Sequence, residues 1–387
     1  MDSRTVPRAL LVNHVGEISG AEKSMLTMVR HLDRTRIRPV AAVPAGPLAR
    51  ELEDLEVPVA LVPELRLARP RNPWQMIART VRLRVWAGKL VVAAEELGAD
   101  LAAANSLTAG MAASMSLGRR MPVVWHARDL HAPERAVRWM TARATRIAAI
   151  STCVADRVID SSRDAGRKTT LIYNGVDTVL FRPERPRQEV REGLGVPHDA
   201  ILVGTVGQIV PWKRQDLFLE AAARILAHRP QAWFAIVGAD LFGEHPEYGL
   251  ELRRLARDLG LESRAVFTGY REDIASVMAA MDLLLHPAED EPLGRAVMEA
   301  MSLGVPCVAA DSCGPSEIIE DGVSGILVPP GDAEPMASRA LELLRREGGP
   351  ERMGEAAKRR IDGMFNAERM ARLTEDLYEE ALARGPR

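Results

Sequence analysis

The chain predicts two α/β domains, each a doubly wound parallel sheet flanked by helices, and three observations carry that expectation. Short apolar runs rich in Val, Ile, Leu and Ala alternate with segments of helical period along the whole length. The 387 residues exceed what one hydrophobic core usually serves. A polar, Pro- and Gly-rich stretch beginning at Arg182, "RPERPRQEVREGLGVPHDA", divides the alternation into two series and reads as a linker.

In the first series, "ALLVNHV", "PVAAVP", "VPVALVP", "ADLAAAN", "PVVWHA" and "RIAAIS" read as strands. A helix is expected from Ala21 to Leu32, because Met25, Met28, Val29 and Leu32 recur at helical spacing. The second series supplies "AILVGTVGQI", "AWFAIVG", "RAVFTGY", "DLLLHPA", "PCVAA" and "GILVPP" as strands. A long amphipathic helix, "FNAERMARLTEDLYEEALARG", closes the chain with Met370, Leu373, Leu377 and Leu382 as its apolar residues. The expected domains are therefore 1–182 and 183–364, with 365–387 as the final helix and a hinge near Arg182. Open parallel sheets bind ligands beyond the carboxyl ends of their strands, so function is expected in those loops, in a cleft between the domains.

Hydrophobic residues make up 47% and charged residues 27%, with a net charge of -2, which suits a globular protein without a strong nucleic-acid field. The start, "MDSRTVPRALLVNHV", is acidic at Asp2 and too briefly apolar for a secretory signal. No window offers the roughly 18 uncharged apolar residues of a membrane helix. Cys153, Cys307 and Cys313 are too few and scattered for a disulfide framework or a zinc site, so a reducing cytoplasm is expected. Of 51 basic residues, only Lys23, Lys89, Lys168, Lys213 and Lys358 are lysine. A lysine inside a site thus draws interest, since its compact ammonium differs from a planar guanidinium.

The segment "GTVGQIVPWKRQD" follows a strand and precedes a helix. Its Gly207 turn delivers Lys213 near a helix N-terminus, where N–H groups and the helix dipole favour a phosphate. The spacing is neither a Walker motif nor a dinucleotide fingerprint, and alone Lys213 reads first as a solvated surface lysine. In "EDEPLGRAVMEAMSLG", Pro292 suits the first turn of a helix, which puts Glu291 in the preceding loop and Glu299 inside the helix. Glu291 is then placed to meet a ligand at the helix mouth. Glu299 can accept hydrogen bonds from a diol such as a ribose, or stand solvated on a surface helix. Leu293, Gly294 and Arg295 fall near the first-turn N–H groups, suited to a diphosphate. Gly314, Ser316 and Glu317 follow the next strand, in a loop able to offer backbone donors or simply to turn.

The run from Gly207 to Asp332 resembles the donor-binding half of glycosyltransferase family 4, a retaining family with the GT-B fold. The resemblance rests on Glu291 and Glu299 with seven residues between them, "NGVD" at Asn174 to Asp177, "GPSEII", "DGVSGILVPPGD" and the N-terminal "SGAEKSML". It implies two Rossmann-like domains and a nucleotide diphosphate sugar, as UDP- or GDP-sugar, whose sugar moves to an acceptor hydroxyl of a glycan, lipid or small natural product. It further implies Lys213 on the donor diphosphate, Glu299 on the ribose, Glu291 beside the donor sugar, and the nucleobase against Gly269, Tyr270 and Arg271. His126, in "WHARD", matches the family's cleft histidine, giving a catalytic set of His126, Lys213 and Glu291. Gly16 is assigned to the donor phosphate. The acceptor is assigned Gly20 and Glu22 of the first loop, Asn105 ending "ADLAAAN", His126 and Arg128. Arg128 and Asp129 read equally as partners of each other. The family commonly carries arginine where this chain has Gln208, which can hydrogen-bond a phosphate but not neutralise it. Arg214 or Arg295 are the compensating cations in this reading.

No Asp-x-Asp occurs, so the resemblance implies no metal and no cofactor beyond the donor itself. Two rival readings are a GT-B nucleotide-sugar epimerase or hydrolase, which turns over without an acceptor, and a non-catalytic nucleotide-sugar-binding subunit. The basic segment at 66–89, with Trp74, Ile77, Val81, Val85 and Trp86 interspersed, reads as a domain helix with a solvated arginine face. Its alternative is peripheral contact with an anionic membrane at the cytoplasmic face.

Overall fold

The computed structural model describes residues 6–65 and 72–386. They divide into two compact units, one formed by 1–175 with 367–387 and the other by 176–366. Unit 1 runs β1 (Arg8–Val12), α1 (Gly20–His31), β2 (Arg38–Val43), α2 (Pro47–Asp54), β3 (Val59–Leu61), α3 (Pro73–Glu96), β4 (Leu101–Ala104), α4 (Leu107–Ser116) and β5 (Val123–Ala127). It continues through α5 (Glu134–Arg143), β6 (Arg146–Ala149), α6 (Thr152–Asp160) and β7 (Thr169–Leu171). Unit 2 comprises α7 (Arg187–Gly193), β8 (Ile201–Val206), α8 (Gln215–His228), β9 (Ala232–Val237), α9 (Pro246–Asp258), β10 (Ala265–Gly269), α10 (Ile274–Ala279) and β11 (Leu283–His286). After these come α11 (Arg295–Ser302), β12 (Cys307–Ala310), α12 (Cys313–Ile318), β13 (Ile326–Val328), α13 (Ala333–Arg345) and α14 (Gly349–Met364); α15 (Ala367–Arg384) returns to unit 1.

Among the described residues, unit 1 holds a sheet in the order β3-β2-β1-β4-β5-β6-β7 and unit 2 one in the order β10-β9-β8-β11-β12-β13. Every pairing is parallel, and strands covered on both faces read as continuous apolar runs, as "RALLV" and "LLLH" do. All the expected strands are present. β7 was not expected: it is a three-residue edge strand whose Thr169 and Thr170 hide it from an apolar count.

The stretch from Arg182 is not a free linker. Arg185 pairs with Asp273, Arg187 donates to Asp282, and buried Arg191 donates to the carbonyls of Ala280 and Ala200 as well as to Asp282. These contacts dock α7 on unit 2 and move the division of the chain back to Gly175. α3 runs past the end of the expected arginine segment, from 89 to Glu96; residues 66–71 of that segment lie outside the described residues.

α15 completes the core of unit 1. Met370, Leu377, Tyr378 and Ala381 join the cluster built on β1, α1 and β2. On its outer edge Arg36 binds Glu375 and Asp376, each at 2.8 Å, and also pairs with Glu379.

Candidate active site

In unit 2 the sheet order reverses between β8 and β11, the point where a doubly wound sheet opens a crevice. Beyond β8 the chain turns through Gly207 and Gln208 into one tight turn, Pro211–Lys213, then through Arg214 at φ 52° into α8. Beyond β11 a short loop carries Glu289, Asp290 and Glu291, with Asp290 also at φ 52°. The two loops meet: Lys213 Nζ donates to Glu291 Oε2, and the side chains are only 15% and 8% exposed. His286, ending β11, holds its Nε2 at 3.3 Å from the same oxygen without hydrogen-bonding geometry. Burial pushes the Glu291 carboxyl up, but the Lys213 ammonium and the His286 ring outweigh it and hold the group at about 2. Glu291 is therefore a buried carboxylate at neutral pH. The ammonium of Lys213 also stands 4.2 Å from the centre of the Trp212 ring.

The helix after Glu291 begins at Arg295, not at Pro292. Gly294 takes a left-handed φ of 95°, which breaks the backbone between the proline and the helix and leaves Pro292 and buried Leu293 in the loop. Glu299 is in α11 but is not solvated: it is buried, and its Oε1 accepts from Arg295 Nε at 2.7 Å. Gly314 at the start of α12 presses on this loop. Its N–H donates to the Glu291 carbonyl at 3.0 Å, and a Cβ there would lie 2.1 Å from Leu293 Cα. No side chain longer than glycine's fits that approach.

Other expected residues have partners within unit 2. Arg214 donates to Glu289 and to Asp216, the latter at 3.1 Å, so its charge is shared between two carboxylates. The Gln208 carbonyl accepts from Gln215 Nε2 at 2.8 Å. Gly269 ends β10 at φ 71° and leaves Tyr270 half-exposed, while Arg271 grips Asp273 with two bonds of 2.7 and 2.6 Å. Ser316 donates to Asp311 at 2.6 Å, and the Glu317 carbonyl accepts from Arg360 at 2.9 Å.

Unit 1 has its own reversal point, between β1 and β4, and the residues that follow those strands are Asn13 and Asn105. Asn13 donates to Glu22 at 3.1 Å, Asn105 to Asn13 at 3.3 Å, and Arg128 to Asn105 at 3.0 Å and Asn174 at 2.9 Å. The second oxygen of Glu22 accepts from Ser19 N and Oγ at 3.0 and 2.5 Å, which caps α1. Both Glu22 oxygens thus help to hold the loop. Arg128 ties the ends of β4 and β5 to Asn174. Asp129, beside it, is exposed. Gly16 is buried where a Cβ would fall 2.6 Å from the Ala45 carbonyl; Gly20 is the first residue of α1 rather than part of the loop, and no atom lies within 4 Å of where its Cβ would be.

His126 ends up in an unexpected pairing. Its Nε2 lies 2.9 Å from the hydroxyl of Tyr378 on α15, with the rings edge to face at 5.9 Å. Burial, helped by Arg128, lowers the imidazole to about 3, so it is neutral at physiological pH. Tyr378 escaped the sequence reading, although the apolar spacing from Thr374 to Ala381 puts it on the buried face of α15.

Among the described residues, no group of three or more His, Cys, Asp or Glu is arranged to hold a metal. The family model described as Glycosyltransferase Family 4 matches residues 18–180, and the one described as Glycosyl transferases group 1 matches 186–360. A D-inositol 3-phosphate glycosyltransferase of Geodermatophilus obscurus is 35% identical over 59% of the chain and 51% of its own length. The lipopolysaccharide core biosynthesis mannosyltransferase LpsB of Rhizobium meliloti is 32% identical over 45% of the chain and 50% of its own length. The chain spans about half the length of the curated relatives it matches. Among solved structures, Anabaena HepE in complex with UDP-glucose superposes with a TM-score of 0.82 at 28% identity, over 95% of this chain and 98% of that one. Two parallel-sheet units, each matched by its own glycosyltransferase model, are those of the GT-B fold, and the chain belongs to glycosyltransferase family 4.

Proposed function

We propose that the protein transfers a sugar, with retention of anomeric configuration, from a nucleotide diphosphate sugar to an acceptor hydroxyl. The observation that carries this reading is the buried Lys213–Glu291 pair at the sheet reversal of unit 2, with Glu299 on the helix that follows. A UDP-glucose complex of the 28% identical HepE supports a uridine donor.

In this reading the donor lies over the carboxyl ends of β8 and β11. Its diphosphate draws Lys213 as counter-ion, and the first turn of α11 adds N–H groups. Glu299, its carboxylate braced by Arg295, accepts the ribose hydroxyls. Glu291 stays ionised beside the sugar, where a carboxylate favours the positive charge that develops at the anomeric carbon. As the bond from that carbon to the phosphate oxygen breaks, charge grows on the diphosphate, and Lys213 stabilises it in a site already largely free of water. The bond to the acceptor oxygen forms on the same face, and the acceptor proton passes to the departing phosphate oxygen. Neutral His126 takes no part in proton transfer in this scheme.

The test is product analysis by mass spectrometry with a panel of UDP- and GDP-sugars and hydroxyl acceptors, followed by NMR of the new glycosidic linkage. An α-linked product from an α-linked donor supports the reading. Donor consumption without acceptor would assign an epimerase or hydrolase, and binding without turnover would assign a non-catalytic subunit.

A further inference from the structure

α3 is amphipathic in an unusual sense. Its inner face is buried through Leu83, Trp86, Ala87 and Leu90, and the Trp86 indole donates to the Pro63 carbonyl at 2.6 Å. Its outer face, where a solvated arginine surface was expected, carries Trp74, Ile77, Val81, Val85 and Val92, all between 50% and 79% exposed. The spacings of three, four and seven residues put these side chains on one stripe, about 27 Å long at 1.5 Å per residue. Arg84 borders the stripe on one side, Arg82 and Lys89 on the other. No acidic residue occurs from Asn72 to Ala94, whereas this segment holds Arg79, Arg82, Arg84 and Lys89; the chain's net charge of -2 therefore leaves -6 for everything else.

We propose that α3 is a membrane-docking helix that lies in the interface of a bilayer bearing anionic headgroups. The stripe would enter the headgroup boundary with Trp74 at one end, and the flanking cations would sit at headgroup level. Charge complementarity selects this occupant. In a twofold contact with a second copy, the stripe would bring the same cationic borders face to face, which repels. A basic stripe on a chain whose remaining residues are net acidic also favours that face toward a negative surface. The inference goes beyond the proposed reaction and does not depend on it.

The experiment is sedimentation with vesicles of phosphatidylcholine alone and of equal parts phosphatidylcholine and phosphatidylglycerol. The full chain is expected to partition at least tenfold more strongly onto the anionic vesicles, an advantage that high salt removes. Arg82→Glu/Arg84→Glu and Val81→Asp/Val85→Asp should each lower the partition roughly tenfold or more. These positions are exposed, and circular dichroism together with an unchanged melting temperature would show that each variant is folded. Equal binding to both vesicles, no binding to either, or undiminished binding by folded variants would overturn the proposal. So would light scattering that shows a dimer dispersed by Val81→Asp/Val85→Asp, which would give the stripe to a second copy.

Discussion

Replacing Gly314 by alanine tests whether the loop bearing Glu291 is held by backbone contact. The new Cβ would stand 2.1 Å from Leu293 Cα and 2.3 Å from its carbonyl carbon and oxygen, where ordinary contact begins at 3.4 Å. The loop must therefore give by roughly 1.3 Å, and it cannot give cheaply, because the opposing atoms are backbone and the Leu293 side chain is buried. Overpacking of this kind costs about 1–3 kcal/mol in stability. The larger effect is expected on chemistry. The same movement stretches the bond from Gly314 N–H to the Glu291 carbonyl and shifts the carboxylate from Lys213, and a displacement near 1 Å costs about a hundredfold in rate. Steady-state kinetics should show kcat for donor consumption down by about that factor, with KM for the donor changed far less, because Glu299 sits on α11 outside the jam. Gly363→Ala is the control: no atom lies within 4 Å of its added methyl, it sits in α14, and it should leave kcat alone while adding up to ~1 kcal/mol of stability. A folded Gly314→Ala protein with kcat within about twofold of the parent would refute the positioning argument.

Lys213→Ala should lower turnover about a hundredfold by removing the charge that faces the leaving diphosphate, and it should also destabilise the protein by about 3 kcal/mol or more, because Glu291 is left buried without its partner; thermal unfolding and initial rates check both. Glu299→Ala should chiefly weaken nucleotide binding, read as a raised Kd by calorimetry with the nucleoside diphosphate. Activity should survive excess EDTA, since the scheme neutralises the diphosphate with Lys213 and helix N–H groups; loss restored by magnesium or manganese would show that neutralisation was misread. Folding depresses the His126 imidazole from its ordinary value near 6.5 to about 3, so its contribution to stability is complete above about pH 6.5 and drains away as the pH falls toward 3. His126→Gln should consequently lose less melting temperature than the parent between pH 7 and pH 5.

What the sequence showed and what it concealed follow from the range of each signal. Parallel strands covered on both faces announce themselves as apolar runs, and the paired glutamates with their intervening turn lie within nine residues of chain. Local pattern could find these. β7 is too short and too polar to register, and Pro292 pointed to a helix start that the left-handed Gly294 moves downstream. The hidden contacts are those made at a distance. Nothing near His126 announces Tyr378, which arrives 252 residues later, and nothing near Gly314 announces the backbone of Leu293. Glu22 and Arg128 were visible as polar residues in functional loops. That they would tie Asn13, Asn105 and Asn174 together depends on which strands become neighbours.

The division of the chain also sets an order for synthesis. Unit 2 is continuous, 176–366, and all its strands and helices are synthesised before α15. Unit 1 is made first yet waits longest, because Tyr378, the buried partner of His126, and the carboxylates that clasp Arg36 come from residues translated after unit 2 is complete. The first-made half must therefore persist as an unfinished nascent domain, with the face that α15 will cover still open, while the second half folds. Such a protein should draw on nascent-chain chaperones from its beginning, and ribosome profiling of chaperone engagement would show occupancy that starts with unit 1 and persists through the synthesis of unit 2.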